Sequence, residues 1–91
     1  MCRNIHVLFN FDPPATDQEI RAAAEQYVRK ISGFTAPSVA NREAFARAID
    51  EVAAASRHLL DSLVTTSPPR DRAVEAHKAH ERAVRRFGRP A

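Results

Sequence analysis

Residues 11–33 read FDPPATDQEIRAAAEQYVRKISG, and this stretch decides the fold class. Asp12-Pro13-Pro14 interrupts any helix, because proline lacks an amide hydrogen and pushes the residue before it out of the α region. Thr16 and Glu19 then stand at capping-box spacing: the hydroxyl accepts from the Glu19 amide while the carboxylate reaches back to the Thr16 amide. Asp17 and Glu19 also set negative charge at the positive end of the helix dipole. Ile20, Ala23, Ala24, Tyr27, Val28 and Ile31 recur at helical intervals, with Arg21, Glu25 and Arg29 outside that stripe. Gly33 is placed to end the run. The pattern predicts an amphipathic helix over about 17–33.

Downstream, GFTAPS is a short connection, and Ser38 or Asn41 can start a second helix over about 39–64. Its stripe reads Phe45, Ala48, Ile49, Val52, Ser56, Leu59, Leu60 and Leu63. Two such helices joined by a short loop pack antiparallel, which sets Tyr27 and Ile49 between them. TTSPPRD follows, with Ser67 as cap and Pro68 at the first helical position of a third helix over about 69–87. It is no repeat of DPPATD, since aligning the prolines throws the apolar positions out of register. Val74, Val84 and Phe87, among alanines and two histidines, make a weak apolar face that docks loosely or forms against a partner. Upstream, Asn4 can cap a short N-terminal helix with Ile5, Leu8 and Phe9 at i, i+3, i+4. A brief strand from His6 to Phe11 is the alternative, and the helix is preferred because no second strand is evident to pair with it.

The expected architecture is all-α, a small antiparallel helical bundle, with residues 1–91 as one domain and 67–91 as a basic C-terminal helix at its edge. Two glycines in 91 residues argue against a turn-rich β protein, and 44% hydrophobic with 27% charged residues is a globular balance. One cysteine excludes an intramolecular disulfide and any multi-cysteine zinc or iron–sulfur site. HVLFNF is too short for a membrane span or a secretory core, so a soluble cytoplasmic protein with no membrane partner is expected. From Ser67 onward seven basic residues stand against three acidic ones, whereas the first 66 residues carry seven and eight. An anionic partner would meet the C-terminal end first.

MCRNI, LFNFDPPATDQEIRAAA, VRKISGF and LLDSLVTTSPPRD together resemble a family of small bacterial proteins known as domain of unknown function 2277, over Met1 to about Phe87. The resemblance implies no activity, substrate or cofactor, and no site residue carries over. LFNFDPPATDQEIRAAAEQYVRK also looks like the opening of a J-domain. That resemblance implies a helical hairpin, but the loop where a J-domain has His-Pro-Asp reads SGFTAPS here, so stimulation of a chaperone ATPase is not implied.

Four constellations could carry chemistry. Cys2, exposed by methionine removal, resembles the start of N-terminal nucleophile amidotransferases, with Arg3 favouring thiolate. Those enzymes need a large β scaffold that this chain does not supply. Cys2 and His6 are four apart, and His77 and His80 three apart, so convergence of the two ends would offer four ligands suited to Zn(II) or Cu(I). Ser56, His58 and Asp61 fall close in sequence, but Ser56 and His58 point about 200° apart on a helix and do not make a nucleophile–base pair. Lys78, Arg82, Arg85, Arg86 and Arg89 recur at helical spacing, a pattern suited to phosphate contact without sequence selectivity; Arg3, Arg29 and Lys30 extend it. Aromatic residues for base stacking are lacking there apart from Phe87. The leading expectation is a non-catalytic helical interaction module without a cofactor, its partner another protein or, weakly, a second copy of the chain. Nucleic-acid or ribosome-associated binding through the C-terminal helix is the alternative, and a metal- or thiol-dependent role for Cys2 and the histidines the second alternative.

Overall fold

The computed structural model describes residues 5–87, the side chain of Phe87 excepted. In chain order it has β1 (Phe11–Asp12), α1 (Asp17–Ser32), a 3₁₀ turn (Val39–Asn41), α2 (Arg42–Ser62), β2 (Arg70–Asp71) and α3 (Arg72–Phe87). The fold is mainly helical, as expected. α1 starts where its capping box dictates: the Glu19 amide donates to Thr16 Oγ1 at 3.1 Å, and the Thr16 amide donates to Glu19 Oε1 at 2.9 Å. It ends at Gly33, whose φ of 79° is left-handed and whose amide donates to the Arg29 carbonyl at 2.9 Å. α2 begins one turn later than Ser38. Asn41 Nδ2 donates to Ser38 Oγ instead of either side chain capping the helix.

α1 and α2 pack antiparallel around Ala24, Val28 and Ile49, with Phe45, Ala48, Val52 and Ala53 half-buried against them. Ile20 is nearly fully buried at 2% exposure. Burying an Ile or Val side chain stabilises by about 1.5–3 kcal/mol, so these few residues hold the hairpin. Arg21–Asp50 and Arg57–Asp17, both at 2.6 Å, fix its register from the outside. Part of the expected core stripe is open to solvent: Tyr27 is 45% exposed, Ile31 67%, Leu59 55% and Leu63 44%. The stripe is wider than one helix covers.

Three expectations are corrected. Residues 5–10 form no helix; β1 instead pairs in parallel with β2, Phe11 opposite Arg70 and Asp12 opposite Asp71. The partner strand was hidden in SPPRD. Asn10 turns the chain into this pairing with a φ of 65°, a left-handed conformation that asparagine tolerates. Its Nδ2 donates to the Pro68 carbonyl at 3.1 Å and to the Ser67 carbonyl at 3.4 Å, and the Arg70 amide donates to its carbonyl at 2.7 Å. α3 therefore starts at Arg72 rather than near 69, because Arg70 and Asp71 run extended as β2 of the ladder. Asp71, not Ser67, bonds the first turn, its Oδ1 accepting from the Val74 amide at 3.0 Å. Finally, α3 is the most strongly amphipathic of the three helices, not the least: Lys78, Arg82, Arg85 and Arg86 fall within about 100° of its circumference. Among its described residues none is buried. The radius of gyration is 16.2 Å, against about 12 Å for an ordinary domain of this length.

Candidate functional site

Two proline-bearing segments far apart in sequence meet at the open end of the hairpin, and the polar side chains gather there. β1 brings Phe11 beside β2, where the guanidinium carbons of Arg70 and Arg72 stand 5.7 and 5.5 Å from the ring centre. Arg72 then reaches α1. Its Nη1 and Nη2 donate to the two oxygens of Glu19 at 2.9 and 2.8 Å, and its Nε donates to the Pro13 carbonyl at 2.6 Å. The paired Arg72 hydrogen bonds, with the Thr16 amide second, hold the Glu19 carboxyl at about 2, from an ordinary 4.5. Glu19 is thus a saturated acceptor rather than a proton carrier. Hydrogen bonding to Glu19 likewise raises Arg72 above its usual value.

A second knot lies beside it. Arg57 on α2 donates through Nε and Nη2 to Asp17 Oδ1, at 3.1 and 2.6 Å, and through Nη2 to the Ala15 carbonyl at 3.2 Å. Its Nη1 donates to Asp61 at 3.4 Å. Hydrogen bonding to Asp17 raises Arg57 above its ordinary value. A shallow cleft of about 190 Å³ runs between the segment Leu8–Phe11 and Arg57, Leu60 and Asp61. Another, of about 270 Å³, separates His6, Val7 and Leu8 from Arg72, Glu75 and Ala76. Arg72 with Glu19, and Arg57 with Asp17 and Asp61, satisfy one another across this junction, so it works as a clasp. Asn10, Arg57 and Arg72 were not singled out from the sequence. The available signal was a pair of Pro-Pro segments, one behind Phe11-Asp12 and one ahead of Arg70-Asp71, which read as helix starts rather than as partners.

The residues expected from spacing fall elsewhere. His6 is exposed at the lip of the second cleft. His77 and His80 are exposed on α3, with His77 Nε2 3.3 Å from Glu81. Cys2 lies outside the described residues. No group of three or more His, Cys, Asp or Glu side chains disposed to hold a metal occurs among those described. Ser56 Oγ donates to the Val52 carbonyl at 2.7 Å and Asp61 faces Arg57, so neither addresses His58. Lys78, Arg82, Arg85 and Arg86 are exposed along α3, Lys78 standing 3.5 Å from Glu75; Arg89 lies outside the described residues. No described helix is long and apolar enough to cross a membrane.

An apolar groove of about 330 Å³ lies at the other end of the hairpin. Tyr27, Ile31 and Phe34 form one wall, and Ala44, Phe45, Ala48 and Val52 the other. The fold and its clasp define a small helical hairpin closed by two proline-bearing segments, with an apolar groove left open. The model of the family described as uncharacterized conserved protein (DUF2277) matches residues 1–78, and the chain belongs to that family. No curated protein and no solved structure matches it.

Proposed function

We propose that this is a non-catalytic helical interaction module of the bacterial cytoplasm, which binds other protein through the groove of the hairpin. The observation that carries the reading is the open groove. Tyr27, Ile31 and Phe34 are large apolar side chains exposed side by side, whereas isolated exposed apolar residues are ordinary on a protein surface. Arg57, Arg72, Asp17 and Glu19 support the same reading, since they are consumed in mutual hydrogen bonds. The cytoplasmic placement rests on a lone cysteine in a small chain, where a secreted domain of this size would carry a disulfide set. A photo-crosslinking residue at Ile31, with Ala22 on the outer side of α1 as control, tests it in cells. Protein adducts at Ile31 and not at Ala22 are expected. Equal labelling at both positions, or none at Ile31, overturns the reading.

A second reading is supported by α3, where exposed Lys78, Arg82, Arg85 and Arg86 follow one side of the helix. Binding of generic RNA or DNA through these residues would weaken steeply with salt as counterions are released. Arg82→Glu with Arg85→Glu should abolish it while leaving the circular dichroism of the hairpin unchanged. Binding that ignores salt removes this reading.

A further inference from the structure

We propose that α3 is a duplex-binding helix, seated along one edge of the major groove of double-stranded DNA with its basic arc on a single phosphate strand. The inference rests on the reading of α3 as a nucleic-acid-binding helix and names the form of nucleic acid it takes.

The first argument is what the arc can hold. Lys78, Arg82, Arg85 and Arg86 are all exposed, and from first to last they span about 12 Å of helix axis. That length matches roughly three to four phosphates of one DNA strand. Glu75 shares the arc but stands 3.5 Å from Lys78, so the three arginines carry the net charge. A guanidinium fork meets phosphate oxygens in pairs, which favours phosphate over other anions. A lipid surface suits α3 poorly, because its side away from the arc carries alanine and Val84, not Trp, Phe or Leu, among the described side chains. Those side chains include no aromatic ring for base stacking either, and stacking is a main grip on a single strand.

The second argument is what flanks the arc. Beyond Arg86, Ala79, Ala83 and Ala76 follow within about 80° of circumference. Beyond Arg85, on the other flank, stand Val74 and Glu81, with His77 Nε2 3.3 Å from the Glu81 carboxylate. A helix with these flanks has one seat on a duplex: the alanines turn into the groove, and Glu81 turns outward. The B-form major groove, about 12 Å wide, admits such a slim flank, whereas that of A-form RNA is deep and narrow. Alanine methyl groups carry no hydrogen-bonding code, so the seat is indifferent to most base sequence.

The third argument is reach. The clasp holds α3 at its first turn through Arg72 on Glu19, and the helix makes no broad contact with α1 or α2 among the described residues. Its arginine-bearing half is therefore clear of the hairpin and can lie along a straight duplex.

Fluorescence anisotropy on the full chain tests the inference, using a labelled DNA duplex of mixed sequence, one of its single strands, and an RNA duplex of the same length. The DNA duplex should bind about tenfold more tightly than either of the others. Between about 20 and 200 mM salt its log–log slope should be about −3, at roughly 0.9 per neutralised phosphate. Arg82→Gln with Arg85→Gln should flatten that slope to about −1. Ala83→Lys, on the groove flank, should tighten duplex binding about fivefold, and His77→Lys, on the outer flank, less than about twofold. Both suit a helix, and circular dichroism confirms that α3 is kept. Equal gains from the two lysines overturn the seating. Equal or tighter binding of the single strand or the RNA duplex overturns the inference and leaves the nucleic-acid reading standing. Binding to none of the three overturns both.

Discussion

Arg72 and Glu19, 53 residues apart in sequence, meet through two parallel hydrogen bonds of 2.8 and 2.9 Å that join the start of α3 to the first turn of α1. A fork matched to a carboxylate in this way depends on the planar guanidinium. Arg72→Lys should therefore behave nearly as badly as Arg72→Ala, although it keeps the charge. Hydrogen exchange of the Arg70 amide, which bonds the Asn10 carbonyl in the adjoining ladder, should accelerate in both variants while amides in the middle of α1 and α2 hold their protection. Normal Arg70 protection in the lysine variant would show that charge, not geometry, closes the clasp.

The same pair sets a pH dependence with a definite sign. Glu19 titrates at about 2 when folded and near 4.5 as a free side chain, so the unfolded chain takes up its proton first as the solution is acidified. Its contribution is fully present above about pH 4.5 and is lost as pH falls from there toward about 2. Glu19→Gln should melt at a lower temperature than the parent at pH 7 and at nearly the same temperature at pH 2. A constant difference across that range would rule out linkage through this carboxylate.

In the core, Ile49 is 6% exposed between α1 and α2. Ile49→Ala should cost about 2–5 kcal/mol, the transfer of the lost methyl groups plus the cavity left behind. Val64, 93% exposed just beyond α2, is the control: Val64→Asp should stay within about 0.5 kcal/mol of the parent. Urea unfolding monitored at 222 nm measures both. Equal effects would mean that the hairpin interface is misplaced.

Thr16 makes a narrower test of the helix start. Thr16→Ala removes the acceptor for the Glu19 amide and should cost about 1 kcal/mol in the same unfolding experiment. Thr16→Ser keeps the oxygen and should be nearly silent. Gly33→Ala meets no steric neighbour, yet its left-handed backbone should make it destabilising by about 1–2 kcal/mol.

The hairpin was legible because its signals are local. The capping box, the left-handed glycine and the 3.6-residue stripes each declare themselves within a few residues, and α1 falls where they place it. The clasp was not, since Asn10, Phe11 and Arg72 acquire partners only through a segment nearly 60 positions away. A two-residue strand has no periodicity to detect, so residues 5–11 read equally well as a turn of helix. The exposure of Tyr27 and Ile31 was also invisible: spacing shows that a face is apolar, not how many neighbours cover it. For the candidate site, spacing located the histidines and arginines of α3 on the helix but could not show that His6, His77 and His80 fail to form a metal-holding cluster among the described residues.

The parallel ladder between Phe11–Asp12 and Arg70–Asp71 encloses the whole hairpin within one loop, and this has a kinetic consequence. Bringing such distant positions together carries a closure entropy that grows with the logarithm of loop length, whereas the α1–α2 contacts arise between neighbouring segments. Once the hairpin has collapsed, the effective loop is far shorter, so the clasp closes after the helices pair. Substitutions at Ile49 should then slow refolding, while those at Arg72 leave the refolding rate almost untouched and appear as faster unfolding. The clasp is a latch on the native state: it governs how long the hairpin stays folded, not how quickly it gets there.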